Sequence, residues 1–167
     1  MNDLSKYNAV KDLMRTGDLL QWHTHGIFGS LIRWRTQSTV NHSALVLCLK
    51  EYEGLERQRF TTEAQDRTVL NRLSRRLEEH DGEVWWYPLV DDWNEKRQGI
   101  GERALNLIGI KYDVKSIFFQ LFGHVSINDK ALFCSEYCAL AYGFSGTAPT
   151  PAEMTNYPIF KKGVQIL

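Results

Sequence analysis

One stretch of the chain decides the fold: residues 41–49, which read NHSALVLCL. Residues 43–49 are almost continuously apolar, so the alternation of polar and apolar positions that marks a half-exposed strand is absent. A strand that is apolar on both faces is typical of the centre of a sheet that other elements cover on both sides. The sequence therefore predicts a central, doubly covered strand that opens at His42.

Other elements are predicted on both sides of this strand. The predicted strands are residues 19–22, 59–64 and 83–89, and the predicted helices are residues 4–15, 92–108 and 134–144. Residues 66–81 fit either a helix or a polar excursion, and the proline-containing tail is expected to be irregular. Because no repeat, low-complexity tract or linker divides the chain, we expect one α+β domain over residues 1–167.

Composition narrows the class of function. The chain has 167 residues, 20 Lys plus Arg and 20 Asp plus Glu, so its formal net charge of zero argues against nucleic acid as a partner. The sequence has no run of 18 consecutive apolar residues, so we expect no transmembrane helix. Without a recognisable secretory signal we expect a cytoplasmic protein. Its 3 cysteines are an odd number, which favours free thiols over a disulfide scaffold.

Cys134 is the candidate nucleophile. A catalytic thiol needs a stabilised thiolate, a base within hydrogen-bond reach and a group that orients the base. Cys134 opens a predicted helix and is followed by Ser135 and Glu136, so the unpaired N–H groups and the dipole of the helix start would favour the thiolate. The alternative is a buried core cysteine, which is how we interpret Cys138 and Cys48.

His42 and Glu63 are the candidate partners of this thiol. An imidazole at the start of the central strand can reach toward a helix terminus and accept the thiol proton, since its ordinary pKa is about 6.5. Glu63 lies on the neighbouring predicted strand, where its carboxylate could hold the imidazole in the productive tautomer. Taken alone, each is more simply interpreted as structural, His42 as a satisfied histidine and Glu63 as a strand-end acid.

Two further patterns point to other functions. His23 and His25 lie on one face of an extended segment and could begin a zinc site, but the additional ligands show no tight spacing. We therefore predict no metal and no cofactor. The apolar stretch at residues 117–122 could contact a lipid or an apolar substrate, although core packing is the simpler interpretation.

Six short motifs, taken in order, resemble a known family. They are GDLLQW (17–22), STVNHSALVL (38–47), TTEA (61–64), GIKYD (109–113), FCSEYCALAY (133–142) and TPAEM (150–154). In this order the chain is similar to the circularly permuted, YiiX-like branch of the NlpC-type papain-like cysteine peptidases, in which the histidine precedes the cysteine. The resemblance implies a papain-like fold, with an antiparallel sheet curling toward a small barrel and packed against the helix that carries the cysteine.

The resemblance also implies roles for individual residues. Cys134 would be the nucleophile, His42 the base and Glu63 the orienting residue, while Tyr112 would border the substrate site and Asp18 would be structural. The backbone N–H of Cys134 would then supply part of an oxyanion hole, with Tyr112 as a second donor.

The function implied is a cysteine hydrolase that cleaves an amide bond, as in a cell-wall stem peptide, through a thioester acyl-enzyme. One alternative is a lipid acyl hydrolase or acyltransferase of the lecithin retinol acyltransferase-like type, to which the same permuted fold is similar. Another is a non-catalytic binding module on this fold. The expected partners are accordingly a small peptide, a cell-wall fragment or an acyl lipid, with peripheral lipid contact left open.

Overall fold

The fold is that of a computed structural model, which describes residues 2–24, 40, 42–64, 67–109, 129–146 and 149–167. Its strands are β1 (Leu19–Thr24), β2 (His42–Leu47), β3 (Phe60–Ala64), β4 (Thr68–Arg72), β5 (Gly82–Tyr87) and β6 (Val164–Gln165). Its α-helices are α1 (Ser5–Val10), α2 (Leu73–Glu78), α3 (Arg97–Asn106), α4 (Asp129–Tyr142) and α5 (Pro151–Met154). Two 3₁₀ turns cover Lys11–Leu13 and Asp91–Lys96.

The strands form one antiparallel sheet in the order β4-β3-β2-β1-β5-β6. Leu45 of β2 pairs with Leu19 on one side and with Thr62 on the other, so β2 lies inside the sheet. The side chains of residues 43–47 are buried, as the apolar pattern predicts. The α+β class is thus confirmed, and within the described residues the sheet is open, with β4 and β6 as its edges.

Each face of the sheet carries its own core, because successive side chains of a strand point to opposite faces. One face places Leu20 and Ala44 against α1 and α2. The opposite face places Leu19 and Leu45 against α3 and α4. The first core consists mainly of Tyr7, Met14, Leu20, Trp22, Ala44, Val46, Leu73, Leu77, Val84, Trp86 and Ile166, and the second of Leu19, Leu45, Ala64, Leu89, Ile100, Ala104, Tyr137, Cys138, Ala141, Tyr142, Met154 and Ile159.

A buried ion pair fixes the start of β1. The carboxylate of Asp18 accepts a hydrogen bond from the Arg97 guanidinium at 2.8 Å and one from the Trp86 indole N–H at 2.9 Å. Backbone N–H groups of Arg15 and Leu89 also donate to it, at 2.9 and 3.1 Å. Asp18 therefore joins the start of β1 to the segment after β5 and to α3, which agrees with the structural role that the resemblance implies for it.

Residues 66–81 correct one prediction. Within this segment Thr68–Arg72 form β4 and Leu73–Glu78 form α2, where the sequence left a helix or a polar excursion open. Val69 and Leu70 pair with Glu63 and Thr62 of β3, so strand pairing overrides the helical spacing there. The spacing of Leu73 and Leu77 is truly helical, and both side chains are fully buried under the sheet.

The tail also contains more regular structure than its prolines indicate. Thr150 and Glu153 form a reciprocal capping box at the start of α5, with Pro151 in the first turn. The T-x-x-E pattern in the sequence is the signal for this short helix. In the part of the chain that the structure describes, we find no helix of the length and apolarity that crossing a membrane requires.

Candidate active site

Cys134 lies on α4, the helix that packs against β2 and β3. Its side chain is buried, and Cys138 one turn later belongs to the core, as predicted. The predicted helix start at Cys134 is wrong, because α4 begins at Asp129 and Cys134 is its sixth residue. Only the first four N–H groups of a helix lack an intrahelical partner, so the expected support of a thiolate and an oxyanion by this helix start does not hold.

The imidazole of His42 joins the two other candidate residues. His42 is the first residue of β2, and its Nε2 lies 2.8 Å from Oε2 of Glu63. The His42 side chain is also hydrogen-bonded to the Cys134 side chain. Because Nε2 is engaged by Glu63, Nδ1 is the ring nitrogen left for the sulfur. The His42 side chain is 19% exposed, so the site reaches solvent at the imidazole.

The surroundings of His42 favour its protonated form. Burial by itself lowers the pKa of an imidazole, but the negative charge and hydrogen bond of Cys134, together with those of Glu63, outweigh it. The net effect raises the pKa of His42 from 6.5 to about 10. An imidazolium ion between a sulfur and a carboxylate is therefore the favoured state of this site near neutral pH.

Glu63 on β3 is fully buried and is held by two cations. Its Oε1 accepts a hydrogen bond from Nε of Arg76 at 3.0 Å, and its Oε2 faces His42. Burial raises the pKa of a carboxyl group, but the hydrogen bond and charge of His42 and the charge of Arg76 outweigh burial and lower the pKa of Glu63 from 4.5 to about 2. Glu63 is thus ionised throughout the physiological range.

Arg76 is the member of this site that the sequence did not reveal. It lies on α2, inside the segment whose secondary structure the sequence left open, and nothing in its local pattern marks it among neighbouring arginines. Its partner Glu63 is 13 residues away in the chain, and the two meet only because β4 pairs with β3 and α2 then folds back over the sheet.

Ser135 and Glu136 follow the cysteine and differ in their contacts. The hydroxyl of Ser135 donates to the backbone oxygen of Pro149 at 2.5 Å, which anchors α4 to the segment before α5. Glu136 is buried, burial raises its pKa, and its Oε2 has no hydrogen-bond partner among the described residues. Ser135 therefore has a structural contact, whereas Glu136 is a buried acid without a counter-charge in the described contacts.

Several predicted residues fall outside the described part of the chain. Among them are Tyr112, His25 and the apolar stretch at residues 117–122. His23 is described, and its Nδ1 lies 3.9 Å from a carboxylate oxygen of Glu83. Among the described residues no three His, Cys, Asp or Glu side chains converge as metal ligands would.

Comparison with known proteins gives a structural match. No protein-family model and no curated protein matches the chain. Among solved structures, the chain is similar to the crystal structure of the metalloprotein YiiX from Escherichia coli O157:H7 (DUF1105), with a TM-score of 0.59 and 14% sequence identity. The match covers 90% of this chain and 96% of YiiX. The chain therefore has a YiiX-like fold.

Proposed function

We propose that this protein is a cysteine hydrolase of papain-like, circularly permuted type, with Cys134 as nucleophile, His42 as base and Glu63 as orienting residue. One observation carries the proposal: a single imidazole is hydrogen-bonded to a thiol on one side and to a buried carboxylate on the other. This is the arrangement by which an adjacent base activates a thiol and a third group fixes the base.

The chemistry follows from the protonation of the pair. The Cys134 thiolate attacks a carbonyl carbon and forms a C–S bond, and the His42 imidazolium gives its proton to the leaving amine as the C–N bond breaks. The resulting thioester is hydrolysed when neutral His42 takes a proton from water. The hydroxide attacks the carbonyl, the C–S bond breaks, and the products are a carboxylic acid and the restored thiolate and imidazolium.

The proposed substrate is an amide, such as a bond in a cell-wall stem peptide, which is the class that the family resemblance implies. A lipid acyl hydrolase or acyltransferase would use the same pair on an ester. The two are distinguished by incubating the protein with purified stem peptides and, separately, with an acyl lipid in vesicles, and by following release of amine or of fatty acid. Binding to the vesicles accompanied by fatty acid release would favour the lipid enzyme.

The solved structure that this chain resembles is that of a metalloprotein. A catalytic zinc site takes about three protein ligands around one ion. In the described residues no such group converges, and Nε2 of His42 is already engaged by Glu63. The proposed reaction uses the side chains of Cys134, His42 and Glu63.

The decisive experiment is alkylation by iodoacetamide as a function of pH, read by intact mass and peptide mapping, in wild type and in His42→Ala. We expect Cys134 to react fast below pH 7, because only the thiolate is nucleophilic, and we expect His42→Ala to abolish that rate. Cys138→Ala is the matched control, since it removes a buried thiol one turn away and leaves the pair intact.

The same experiment can reject the proposal. If Cys134 reacts no faster than an ordinary thiol of pKa about 8.5, and reacts equally in His42→Ala, the pair is not a catalytic one. A Cys134 that is alkylated only when the protein unfolds would identify it as a core cysteine and favour a binding module on this fold.

A further inference from the structure

The guanidinium of Arg76 completes a chain of polar groups that begins at Cys134. Its Nε lies 3.0 Å from Oε1 of Glu63, and its second contact, from a terminal nitrogen to Oε2, is longer at 3.5 Å. The oxygen with the short Arg76 bond is therefore not the oxygen that meets His42. Arg76 thus bonds Oε1 most closely and reaches Oε2, the oxygen that meets His42, only at the longer distance.

Arg76 is itself held in place by Trp22. The guanidinium carbon lies 4.9 Å from the centroid of the Trp22 ring, within the range of a cation–π contact. Trp22 is buried, and in the β1–β2 register it pairs directly with His42. The side chain that supports Arg76 is thus the cross-strand neighbour of the proposed base, which ties the position of the arginine to that of the imidazole.

We propose that Arg76 is a positioning residue of the site: it fixes the Glu63 carboxylate so that Oε2 faces His42, and it keeps Glu63 ionised when His42 is neutral. The proposal rests on the proposed function, since it assigns to Arg76 a part in the proton cycle of His42. Arg76 does not touch the sulfur in any described contact, so its effect passes through Glu63.

The reason lies in the charge cycle of the reaction. Glu63 is fully buried, and a buried carboxylate without a counter-charge is strongly disfavoured. When His42 gives its proton to the leaving group, Glu63 loses one of its two cations. Arg76 cannot lose its proton in this pH range, so it keeps the carboxylate charged through that step. Glu63 is then ready to orient the imidazole for the second half of the reaction.

Other titratable groups around Glu63 do not supply this constant charge. His42 from β2 titrates during the cycle, and Cys138 from α4 faces Glu63 as a buried thiol whose pKa is raised by burial. His80, which follows α2, interacts with both Arg76 and His42, and burial lowers its pKa. Among the groups that interact here, Arg76 is the cation that does not titrate.

The test compares Cys134 alkylation by iodoacetamide between about pH 2.5 and 8 in Arg76→Gln, Arg76→Lys and wild type. The acid limb is the part of the pH profile in which the alkylation rate of Cys134 falls as the pH is lowered. We expect its midpoint to rise by about 1–2 pH units in Arg76→Gln, because a neighbouring arginine lowers a carboxyl pKa by about that much. Arg76→Lys keeps the charge without the planar fork and should fall between the two. Arg75→Gln is the matched control: Arg75 is its neighbour on α2, is 79% exposed and contacts only Glu79 in the described ion pairs.

A second background separates positioning from a general effect of charge. In the Glu63→Gln background, adding Arg76→Gln should leave the midpoint of the acid limb unchanged, because the carboxylate through which Arg76 acts has already been removed. An equal shift with and without Glu63 would show that Arg76 acts on the thiolate by its charge alone, and would overturn the proposal. If Arg76→Gln fails to fold by circular dichroism, Arg76→Lys in the two backgrounds gives the same comparison.

The outcomes also separate this proposal from the proposed function. A wild-type Cys134 without fast, His42-dependent alkylation overturns both. Fast, His42-dependent alkylation combined with superimposable profiles of wild type and Arg76→Gln overturns only the role of Arg76.

Discussion

Two buried carboxylates of this protein are each joined to an arginine, and they differ in their remaining partners. Asp18 accepts hydrogen bonds from Arg97, from an indole N–H and from two backbone N–H groups, none of which titrates in the ordinary pH range. Glu63 accepts from Arg76 and from His42, whose proton can leave.

These partners separate an ion pair that joins elements of the fold from an ion pair to which we assign a proposed function. Burial of a carboxylate requires partners in both cases. Around Asp18 every partner is fixed, so the group can only join elements of the fold. Around Glu63 one partner is an imidazole whose other nitrogen is left for a thiol, and in the proposed reaction the charge of Glu63 bears on the proton of that imidazole. We expect mutations of the two acids to separate stability from reactivity.

The largest effect is expected from Glu63→Gln on reactivity. An amide in place of the carboxylate no longer stabilises the imidazolium or selects its tautomer. Loss of the acid of such a triad costs up to about 10⁴-fold in rate, so we expect the alkylation rate of Cys134 at pH 6 to fall by about 10²–10⁴-fold. Stopped reactions with mass readout measure this, and a fall of less than threefold would remove Glu63 from the site.

The next effect is expected from Asp18→Asn on stability. Removing the charge leaves Arg97 buried without its counter-ion, which costs about 3–5 kcal/mol of unfolding free energy. Calorimetry should show a melting temperature about 6–20 °C lower for a chain of this size. The pH profile of Cys134 alkylation should not move, and a shift in it would contradict the separation of the two acids.

Glu63 and His42 should each make the unfolding free energy depend on pH. The pKa of Glu63 is lowered from 4.5 to about 2. Its contribution to the unfolding free energy is therefore fully present above pH 4.5 and is lost as the pH falls from 4.5 to about 2. The pKa of His42 is raised from 6.5 to about 10, so its contribution is present below pH 6.5 and is lost as the pH rises toward 10.

The combined contribution of these two groups is therefore greatest between pH 4.5 and 6.5. The loss on the acid side corresponds to about 3–4 kcal/mol of unfolding free energy, at about 1.4 kcal/mol per pKa unit. Urea unfolding at a series of pH values measures it. Glu63→Gln should flatten the acid side of the curve, and an equally steep curve in that variant would assign the loss to other carboxylates.

The smallest effect is expected at a third arginine–carboxylate pair, which is exposed. Arg75 and Glu79 lie four residues apart on the surface, with Nε to Oε1 at 3.1 Å. Such pairs contribute about 0.3–0.5 kcal/mol, so Arg75→Gln should change the melting temperature by only about 1–2 °C. A larger decrease in the melting temperature would mean that this exposed pair contributes more to stability than its exposure predicts.

The centre of the fold and the polar residues that deserve a test could be predicted from the amino-acid sequence. The apolar run after His42 predicted the central strand, because a strand that is covered on both faces does not need alternating polar and apolar residues. His42 and Glu63 were recognised because they sit at the start of that strand and on its predicted neighbour, and Cys134 because a helical pattern follows it. The catalytic roles of these residues stay predictions until the thiol is tested.

The tertiary structure alone decided which groups meet, and where the helix of Cys134 begins. Arg76 reaches Glu63 through the pairing of β4 with β3 and the return of α2. Arg97 reaches Asp18 across 79 residues of chain. Local patterns report how one segment divides its own apolar and polar positions, whereas the partner of a buried charge is chosen by elements that are distant in sequence. For this reason the strand could be predicted from the sequence and the two arginine partners could not.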